Sequence, residues 1–413
     1  MTEERRLAPD QNRVLVICND GDYFLRHRLF VVAHLCSIGV DVTVVAGGDP
    51  IPADRVNGWK YIHVPIQRFR FDPIGDAALI LHTAKIVWQF KPHTVHLITF
   101  KPTVFSGFVS LVSRFLHGHP KSILVTLPGL GRMMSPKQPG ERRYLVGRAL
   151  TLFAFRILSR RDRVHFTFET KHDYEFWAQS DIANAKNSSL IEDAGVDPKQ
   201  FYPLEAPQSR AKRVIFASRL LKSKGLAAFL MMARDLAGRP DIEFLVAGPP
   251  DDQDPDAIRP DYLAQLGEIR FLGYVEDMPN LLRQCDIVCL PTRYGEGIPR
   301  ILIEAAATGL ASIVSGHPGC REIVEDGVTG RILSTTSDIE MSQEMSGAVT
   351  KYLESPDLLA SHQQAAYRQF LSREFNQDAV ADRFTELLGF PLSPARNRSA
   401  IALGRVVAIH TDG

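Results

Sequence analysis

Short apolar runs alternate with segments of helical length along this chain, and no other feature constrains the fold as strongly. The first run, RVLVICND at 13–20, is continuous in apolar residues, as a strand buried on both faces of a parallel sheet is. A helical stretch, LRHRLFVVAHLCSIG, follows it and ends at Gly39. Further strands are predicted at 41–48, 61–66, 94–100, 122–129 and 163–169. Such alternation predicts a parallel sheet with helices on both faces.

The pattern starts again after a polar, proline-containing joint at 197–213, with five more strands predicted at 213–220, 243–250, 269–275, 286–292 and 310–316. We therefore predict two Rossmann-like, doubly wound α/β domains that face a central cleft. Ligands of such sheets bind at the carboxyl ends of the strands. The predicted divisions are a first domain at 1–203, a second at 204–375, a helix at 376–390 that packs back towards the first domain, and a tail at 391–413.

Composition narrows the class of protein. Of 413 residues, 45% are hydrophobic and 23% charged, ordinary values for a soluble globular protein. No apolar run reaches the roughly 18 residues that a membrane span needs, and the N-terminal stretch lacks an apolar signal core. We expect a cytoplasmic protein without a nucleic-acid partner. Five scattered cysteines argue against a disulfide framework, and Cys285 and Cys289 fit a core better than a metal site.

The segment PTRYGEGIPRILIEAAATG at 291–309 carries the strongest chemical signal. Its glycines permit a sharp turn after a strand, and Pro299 suits the first turn of a helix. The backbone N–H groups and positive dipole of a helix start favour a diphosphate. Glu304, just over one turn into the helix, could accept hydrogen bonds from a ribose diol, and Glu296 could contact a sugar ring. Two solvated helix charges are the alternative interpretation.

The segment SRLLKSKG at 218–225 is the second signal. Arg219 ends a strand and Lys224 opens the next helix. Two cations at the carboxyl end of a strand can neutralise a diphosphate leaving group, Arg as a fork and Lys as a point charge. A solvated basic turn is the alternative.

These segments, with FLVAGPP and HPGCREIVEDGVTGRIL, make the C-terminal half resemble the retaining glycosyltransferases of family 4, which have the GT-B fold. The resemblance implies a nucleotide-sugar donor, with Glu304 on the ribose, Glu296 on the donor sugar, Arg219 and Lys224 on the diphosphate, and the loop to Val275 at the base. The implied donor-binding set is Arg219, Lys224, Val275, Glu296, Gly297, Ile298, Pro299 and Glu304, with Arg219, Lys224 and Glu296 as the catalytic residues. Neither a metal nor another cofactor is expected, because the two cations can take a metal's place.

The N-terminal segments YFLRHRL, VHLITFKP and LPGLGRMM are similar to enzymes that extend sugars on a polyprenyl-diphosphate carrier in bacterial surface polysaccharide synthesis. Arg28 and Lys101 could then contact the acceptor phosphates, and Gly129 and Gly131 could admit backbone N–H groups to them. The alternatives are a helix-surface charge at Arg28 and an ordinary turn at the glycines. His96 lies in an apolar run, where a structural histidine is at least as good an interpretation as a site residue.

Residues 142–161, RRYLVGRALTLFAFRILSRR, mix arginine with apolar side chains. They could form an interfacial helix that docks on anionic lipid at the inner face of the cytoplasmic membrane, or a core-packing helix with solvated ends.

The reading favoured by the sequence is a retaining transferase that moves a sugar from a UDP-sugar, an N-acetylhexosamine or a hexose, to a polyprenyl-diphosphate-linked saccharide. A sugar-nucleotide epimerase or a phosphorylase, also built on two such domains, and a non-catalytic sugar-nucleotide-binding protein are the alternatives. A nicotinamide dehydrogenase is disfavoured because the first strand runs into CNDGDYF rather than a Gly-x-Gly-x-x-Gly turn.

Overall fold

A computed structural model describes residues 12–66, 72–134, 142–191, 195–204, 211–251, 254, 256–293, 295, 297–373 and 375–391. The side chains of 132, 133, 142–144 and 146 lie outside this description. The chain folds as two compact units, divided at 193/194 and again at 376/377, so that its C-terminal segment belongs to the first unit.

The first unit is built on a seven-stranded parallel sheet. Its strands are β1 (Arg13–Cys18), β2 (Asp41–Ala46), β3 (Lys60–His63), β4 (Thr94–Ile98), β5 (Ser122–Leu127), β6 (Val164–Phe168) and β7 (Ser188–Leu190). They lie in the order β3-β2-β1-β4-β5-β6-β7. Sequence reasoning predicts the first six strands and misses β7, because three residues are too few to show a pattern.

Helices cover both faces of this sheet. They are α1 (Gly21–His27), α2 (Leu29–Ser37), α3 (Pro73–Phe90), α4 (Phe100–His117), α5 (Gly131–Met134), α6 (Arg142–Ser159), α7 (Lys171–Gln179) and, from the end of the chain, α15 (Gln377–Leu387). One core lies between the sheet and α3, α4, α6 and α7. The other lies under α1 and α2, where Phe384 and Leu388 of the C-terminal segment are buried.

The helix predicted as continuous after β1 is interrupted at Arg28. Its φ of −133° ends α1, whose last N–H bond runs from Arg28 to the Phe24 carbonyl, and α2 begins at the next residue. The break lets the Arg28 side chain turn inward, where it is 1% exposed and donates to the His27 carbonyl at 2.7 Å. A periodic apolar pattern contains no signal for such an inward-pointing charge.

The second unit is built on six parallel strands, β8 (Lys212–Ala217), β9 (Ile242–Ala247), β10 (Arg270–Gly273), β11 (Ile287–Leu290), β12 (Ala311–Ser315) and β13 (Gly330–Leu333). Their order is β10-β9-β8-β11-β12-β13. The sixth strand, β13, is missed by the sequence reading. The helices are α8 (Leu226–Asp235), α9 (Pro260–Ala264), α10 (Met278–Arg283), α11 (Arg300–Ala307), α12 (Pro318–Arg321), α13 (Asp338–Glu354) and α14 (Pro356–Ser372).

The division between the two units lies before the domain boundary predicted at 203/204, because residues 195–203 fold with the second unit. Val196 pairs with Asn376, and Val196 and Phe201 are buried in the core of that unit. Cys285 and Cys289 are buried in the same core. Among the helices of the described residues, none combines the length and the apolar character needed to cross a membrane.

Candidate active site

The strand order of the second sheet reverses between β8 and β11, and a ligand of an open α/β sheet binds at such a point, beyond the carboxyl ends of the strands. The turn after β8 carries Arg219 and Lys224, and the loop after β11 leads to Pro299 and α11. The two segments singled out in the sequence therefore flank the switch point of one sheet.

The turn after β8 is fixed by a glycine. Lys224 ends a short 3-10 turn and is 5% exposed, and Gly225 follows it with φ of +80°. A β-carbon at Gly225 would lie 2.1 Å from the carbonyl oxygen of Pro291, a separation that heavy atoms do not tolerate. Only glycine therefore allows the turn that carries Lys224 to contact the start of the loop after β11.

Hydrogen bonds join the same two loops. The Arg293 N–H donates to the Ser223 carbonyl at 2.7 Å, and the Arg293 guanidinium pairs with Asp338 of α13 at 2.5 Å. On the other side, the Ser315 hydroxyl at the end of β12 donates to the Thr292 carbonyl at 2.5 Å. These contacts fix the loop at both sides of Thr292, so its backbone is a rigid part of the site.

Arg219 has a partner that the sequence reading did not assign. Its guanidinium donates to the Asp251 carboxylate at 2.5 Å, and the two side chains are 26% and 11% exposed. Asp251 lies in the loop after β9, which the sequence analysis did not assign to the site. Gly248 brings this loop close, because a β-carbon there would lie 1.7 Å from the Ser218 carbonyl oxygen.

The helix after the glutamate loop begins one residue later than predicted. Pro299 occupies the N-cap, with φ of −67° and ψ of 113°, and α11 starts at Arg300. Proline suits both the N-cap and the first helical position, because its fixed φ fits each and its missing N–H costs no hydrogen bond at either. Gly297, Ile298 and Pro299 are all buried, and the Ile298 side chain belongs to the core of the second unit.

Glu304 lies one turn into α11 with its side chain 12% exposed. It accepts a hydrogen bond from Arg300 at 2.7 Å, an ion pair across one helical turn. The spacing of four residues between Arg300 and Glu304 is visible in the sequence, and sequence reasoning overlooked it. Glu296, predicted to contact the donor sugar, lies outside the described residues.

The loop predicted to line the base pocket follows β10. Val275 is partly buried and packs against the core of the second unit. Gly273, with φ of +64°, accepts a hydrogen bond from the Gly248 N–H at 2.7 Å. Backbone contacts therefore connect four segments in turn. These are the end of β10, the loop after β9, the turn after β8 and the loop after β11.

The predicted acceptor residues follow three neighbouring strands of the first sheet, β1, β4 and β5, but they differ in exposure. Lys101, 15% exposed, donates to Asp76 of α3 at 2.8 Å. Gly129 and Gly131 have φ of +91° and +59°, and Gly131 begins α5. Both glycines therefore adopt the left-handed conformation that a sharp turn after β5 requires.

Arg28 is not the surface charge considered as an alternative. The guanidinium lies 3.7 Å from Glu169, at the end of β6, and faces the rings of Tyr23 and Phe384 at 5.6 and 5.5 Å. A buried cation needs such a partner to offset its lost hydration. With 1% of its surface exposed, Arg28 presents no surface to an acceptor in this conformation.

His96 fits the structural interpretation. It is 2% exposed on β4, and its Nε2 is hydrogen-bonded to the Thr126 hydroxyl at 2.8 Å. Burial, and secondarily the charge of Arg28, lower the pKa of His96 to about 3. The imidazole is therefore neutral at physiological pH. Within the described ranges, no cluster of three or more His, Cys, Asp or Glu side chains could hold a metal ion.

Solved structures match the chain over most of its length. The sucrose-phosphate synthase of Thermosynechococcus elongatus aligns with a TM-score of 0.70 and 18% identity, covering 95% of this chain and 100% of that one. Anabaena HepE in complex with UDP-glucose aligns with a TM-score of 0.67 and 17% identity, covering 91% and 99%. At these identities the likeness concerns the fold alone. The two parallel-sheet α/β units are those of the GT-B glycosyltransferase fold.

A protein-family model matches most of the second unit. Residues 211–354 match the family model of the glycosyl transferases group 1, so the chain carries a domain of that family. A similar protein is the N,N'-diacetylbacillosaminyl-diphospho-undecaprenol alpha-1,3-N-acetylgalactosaminyltransferase of Campylobacter jejuni, 26% identical over 54% of this chain. Another is the phosphatidyl-myo-inositol mannosyltransferase of Mycolicibacterium smegmatis, 30% identical over 41% of this chain. The matches span 61% and 44% of those relatives' own length.

Proposed function

We propose that this protein is a retaining glycosyltransferase that moves a sugar from a UDP-sugar, an N-acetylhexosamine or a hexose, to a polyprenyl-diphosphate-linked saccharide. The observation that carries the proposal is the meeting of two loops at the switch point of the second sheet. One loop carries Arg219 and Lys224, and the other leads to the start of α11 and Glu304. This unit is also the part of the chain that matches the glycosyl transferases group 1.

The chemistry follows from charge. Breaking the bond between sugar and diphosphate develops negative charge on the leaving UDP. Arg219, Lys224 and the backbone N–H groups at the start of α11 provide positive potential at one sheet edge, and fixed positive groups stabilise such a charge without reorganisation. In this proposal, these groups make a metal ion unnecessary.

Glu304 is assigned to the ribose and Glu296 to the donor sugar, as the family resemblance implies. The half-buried position of Glu304 supports its assignment, because a carboxylate sheltered from water forms stronger hydrogen bonds with a diol. Its pairing with Arg300 orients the carboxylate from the side.

The lipid-linked acceptor is supported by the relatives' names, since one is named for a diphospho-undecaprenol substrate and the other for a phosphatidyl-inositol. On the acceptor side we assign Lys101, Gly129 and Gly131, which follow neighbouring strands of the first sheet. The side chain of Arg28 is buried beside Glu169. We therefore assign Arg28 an indirect role on the acceptor side, in which it holds Glu169 and the neighbouring residues in place.

A donor panel tests the function. Purified protein is incubated with labelled UDP- and GDP-sugars and a bacterial membrane extract, and the label entering the lipid fraction is measured. We expect a UDP-sugar to label the lipid. Incorporation from GDP-sugars alone would contradict the donor assignment, and label that stays on the nucleotide with every donor would contradict transfer.

Two lysines of one turn provide a matched pair of variants. Replacing the buried Lys224 with Ala is expected to lower kcat/KM about 100-fold, as loss of one transition-state donor does. Replacing Lys222, exposed two residues earlier, is expected to change it less than about threefold. Equal effects of the two replacements would remove Lys224 from the leaving-group site.

A sugar-nucleotide epimerase remains the alternative activity, since the same donor site would serve it. It needs no lipid, so a UDP-sugar converted to its epimer without membrane extract would favour it. Tight binding of UDP with neither transfer nor epimerisation would instead indicate a sugar-nucleotide-binding protein.

A further inference from the structure

Helix α4 exposes several large apolar side chains on the side that faces away from the sheet. Its fully buried residues are small and mostly polar, namely Pro102, Thr103, Ser106, Gly107, Ser110 and Ser113. Phe100, Val104, Phe105 and Leu111 are partly buried against the core. Other large apolar side chains face outward, with Phe108 61%, Phe115 89% and Leu116 62% exposed. A helix that only covers a sheet buries its apolar side, so an outward apolar side indicates a further contact surface.

The small buried residues let neighbouring helices approach α4 closely. Ser106 is hydrogen-bonded to Thr83 of α3 at 2.9 Å, and Lys101 pairs with Asp76 of α3 at 2.8 Å. On the other side, a β-carbon at Gly107 would lie 3.0 Å from Leu158 of α6. These contacts fix α3, α4 and α6 side by side on the same side of the first sheet.

The neighbouring helices continue the apolar surface. In α3, Ile74, Leu81 and Trp88 repeat every seven residues and are 84%, 70% and 61% exposed. In α6, Leu145, Leu150 and Phe153 are each at least 60% exposed. We call the outward sides of α3, α4 and α6 the three-helix face. Apolar patches spread over three helices are rare on proteins that stay in water.

The charged residues of the three helices are almost all basic. Apart from Asp76, which is buried and paired with Lys101, the sequences of the three helices contain no acidic residue. Lys85, Arg114, Arg148 and Arg156 supply positive charge within them, and Arg160, Arg161 and Arg163 surround Asp162 just after α6. Asp72 lies at the other end, before α3.

We propose that the three-helix face docks on an anionic lipid surface, with Trp88, Phe108 and Phe115 entering the interfacial layer and the basic residues contacting lipid phosphates. Aromatic side chains and positive charge together are what such a layer binds. A second copy of the chain is disfavoured as the occupant, because pairing two such faces would bring like charges together. This surface extends beyond residues 142–161, and it does not rest on glycosyl transfer.

Vesicle sedimentation with the full chain tests the inference. We expect binding to vesicles of phosphatidylglycerol and phosphatidylcholine, and at least tenfold weaker binding to phosphatidylcholine alone. Trp88→Gln combined with Phe115→Gln is expected to weaken binding at least tenfold, since each loses the transfer of an aromatic side chain from water. Arg148→Gln combined with Arg156→Gln is expected to reduce the preference for the anionic vesicles.

Ile339→Gln combined with Leu371→Gln is the matched control, because these residues are 59% and 61% exposed on the second unit and lie off the proposed surface. If both double variants bind vesicles as the unchanged protein does, the inference is overturned. It is also overturned if Trp88→Gln and Phe115→Gln abolish a dimer in solution without affecting vesicle binding. The assay contains neither donor nor acceptor, so a failed donor panel would leave this result unaffected.

Discussion

Gly225 and Pro291 approach each other so closely that a β-carbon on the glycine would lie 2.1 Å from the proline carbonyl oxygen. This contact joins the turn after β8 to the loop after β11. Gly225→Ala is therefore expected to lower the free energy of unfolding by at least about 3 kcal/mol, from left-handed strain and a clash with backbone that cannot move alone. Urea unfolding of the purified variant measures the loss.

Gly238 gives the matched control. It has a similar φ of +85°, but nothing lies within 4 Å of the position that its β-carbon would take. Gly238→Ala should therefore cost only the left-handed strain, about 1 kcal/mol. A loss for Gly225→Ala no larger than that for Gly238→Ala would show that the loops separate easily, contrary to the rigid site described above.

The pairing of Arg219 with Asp251 leads to a prediction about ligand binding. In the proposed site, a diphosphate competes with the Asp251 carboxylate for the Arg219 guanidinium. Asp251→Asn removes the competing charge, so UDP should bind about three- to tenfold more tightly, while the unliganded protein loses up to about 1 kcal/mol of stability. Isothermal titration with UDP and thermal unfolding without it measure the two effects.

Asp261→Asn is a suitable control, since that carboxylate is 82% exposed and pairs with Arg259 on the surface of the same unit. It should leave UDP affinity unchanged. Unchanged or weaker UDP binding by Asp251→Asn would mean that Arg219 does not exchange the carboxylate for a diphosphate.

The positions of strands and of the loops after them could be predicted because buried parallel strands leave continuous apolar runs and the chemistry-bearing residues follow those runs directly. Arg219, Lys224 and Glu304 were predicted as site residues in this way. Strand β7 was missed because three residues carry too little pattern, and β13 because glycine and arginine fill half of its four positions.

Partners brought together by the fold leave no such local trace. Asp251 is distant in sequence from its partner Arg219, and Glu169 is distant from its partner Arg28. The order of the strands in each sheet brings each carboxylate to its arginine. The outward apolar side of α4 was equally hidden, although its buried serines and its exposed phenylalanines lie on different sides of the helix. Periodicity alone does not say which side a close-packed neighbour will cover.

Because His96 is buried, the free energy of unfolding of the first unit should fall at acid pH. We call this falling part of the pH profile the acid limb. The unfolded chain binds a proton at His96 below pH 6.5, whereas the folded chain, in which the pKa is about 3, does not until much lower pH. The unfolded state thus binds more protons between these values, and stability falls as pH falls from 6.5 towards 3, by at most about 5 kcal/mol.

His96→Gln should flatten that limb while keeping a hydrogen bond to Thr126. Urea unfolding at a series of pH values provides the comparison. His82, exposed on α3, supplies the control, since His82→Gln replaces a histidine outside the core and should leave the limb unchanged. An acid limb identical in His96→Gln and the unchanged protein would assign it to other groups.

The assignment of Glu304 to the ribose can be tested from both sides of the contact, because the carboxylate and the ribose hydroxyls can each be removed. If its carboxylate accepts hydrogen bonds from the ribose diol, Glu304→Gln should weaken UDP binding about tenfold or more, as hydrogen bonds to a charged group predict. In the unchanged protein, 2′,3′-dideoxy-UDP should bind more weakly than UDP by a similar factor. In Glu304→Gln, the two nucleotides should bind nearly alike, since the alterations remove one interaction and their effects do not add. Additive losses, measured by isothermal titration, would place Glu304 away from the ribose, and Arg300→Gln controls for the loss of the helical ion pair alone.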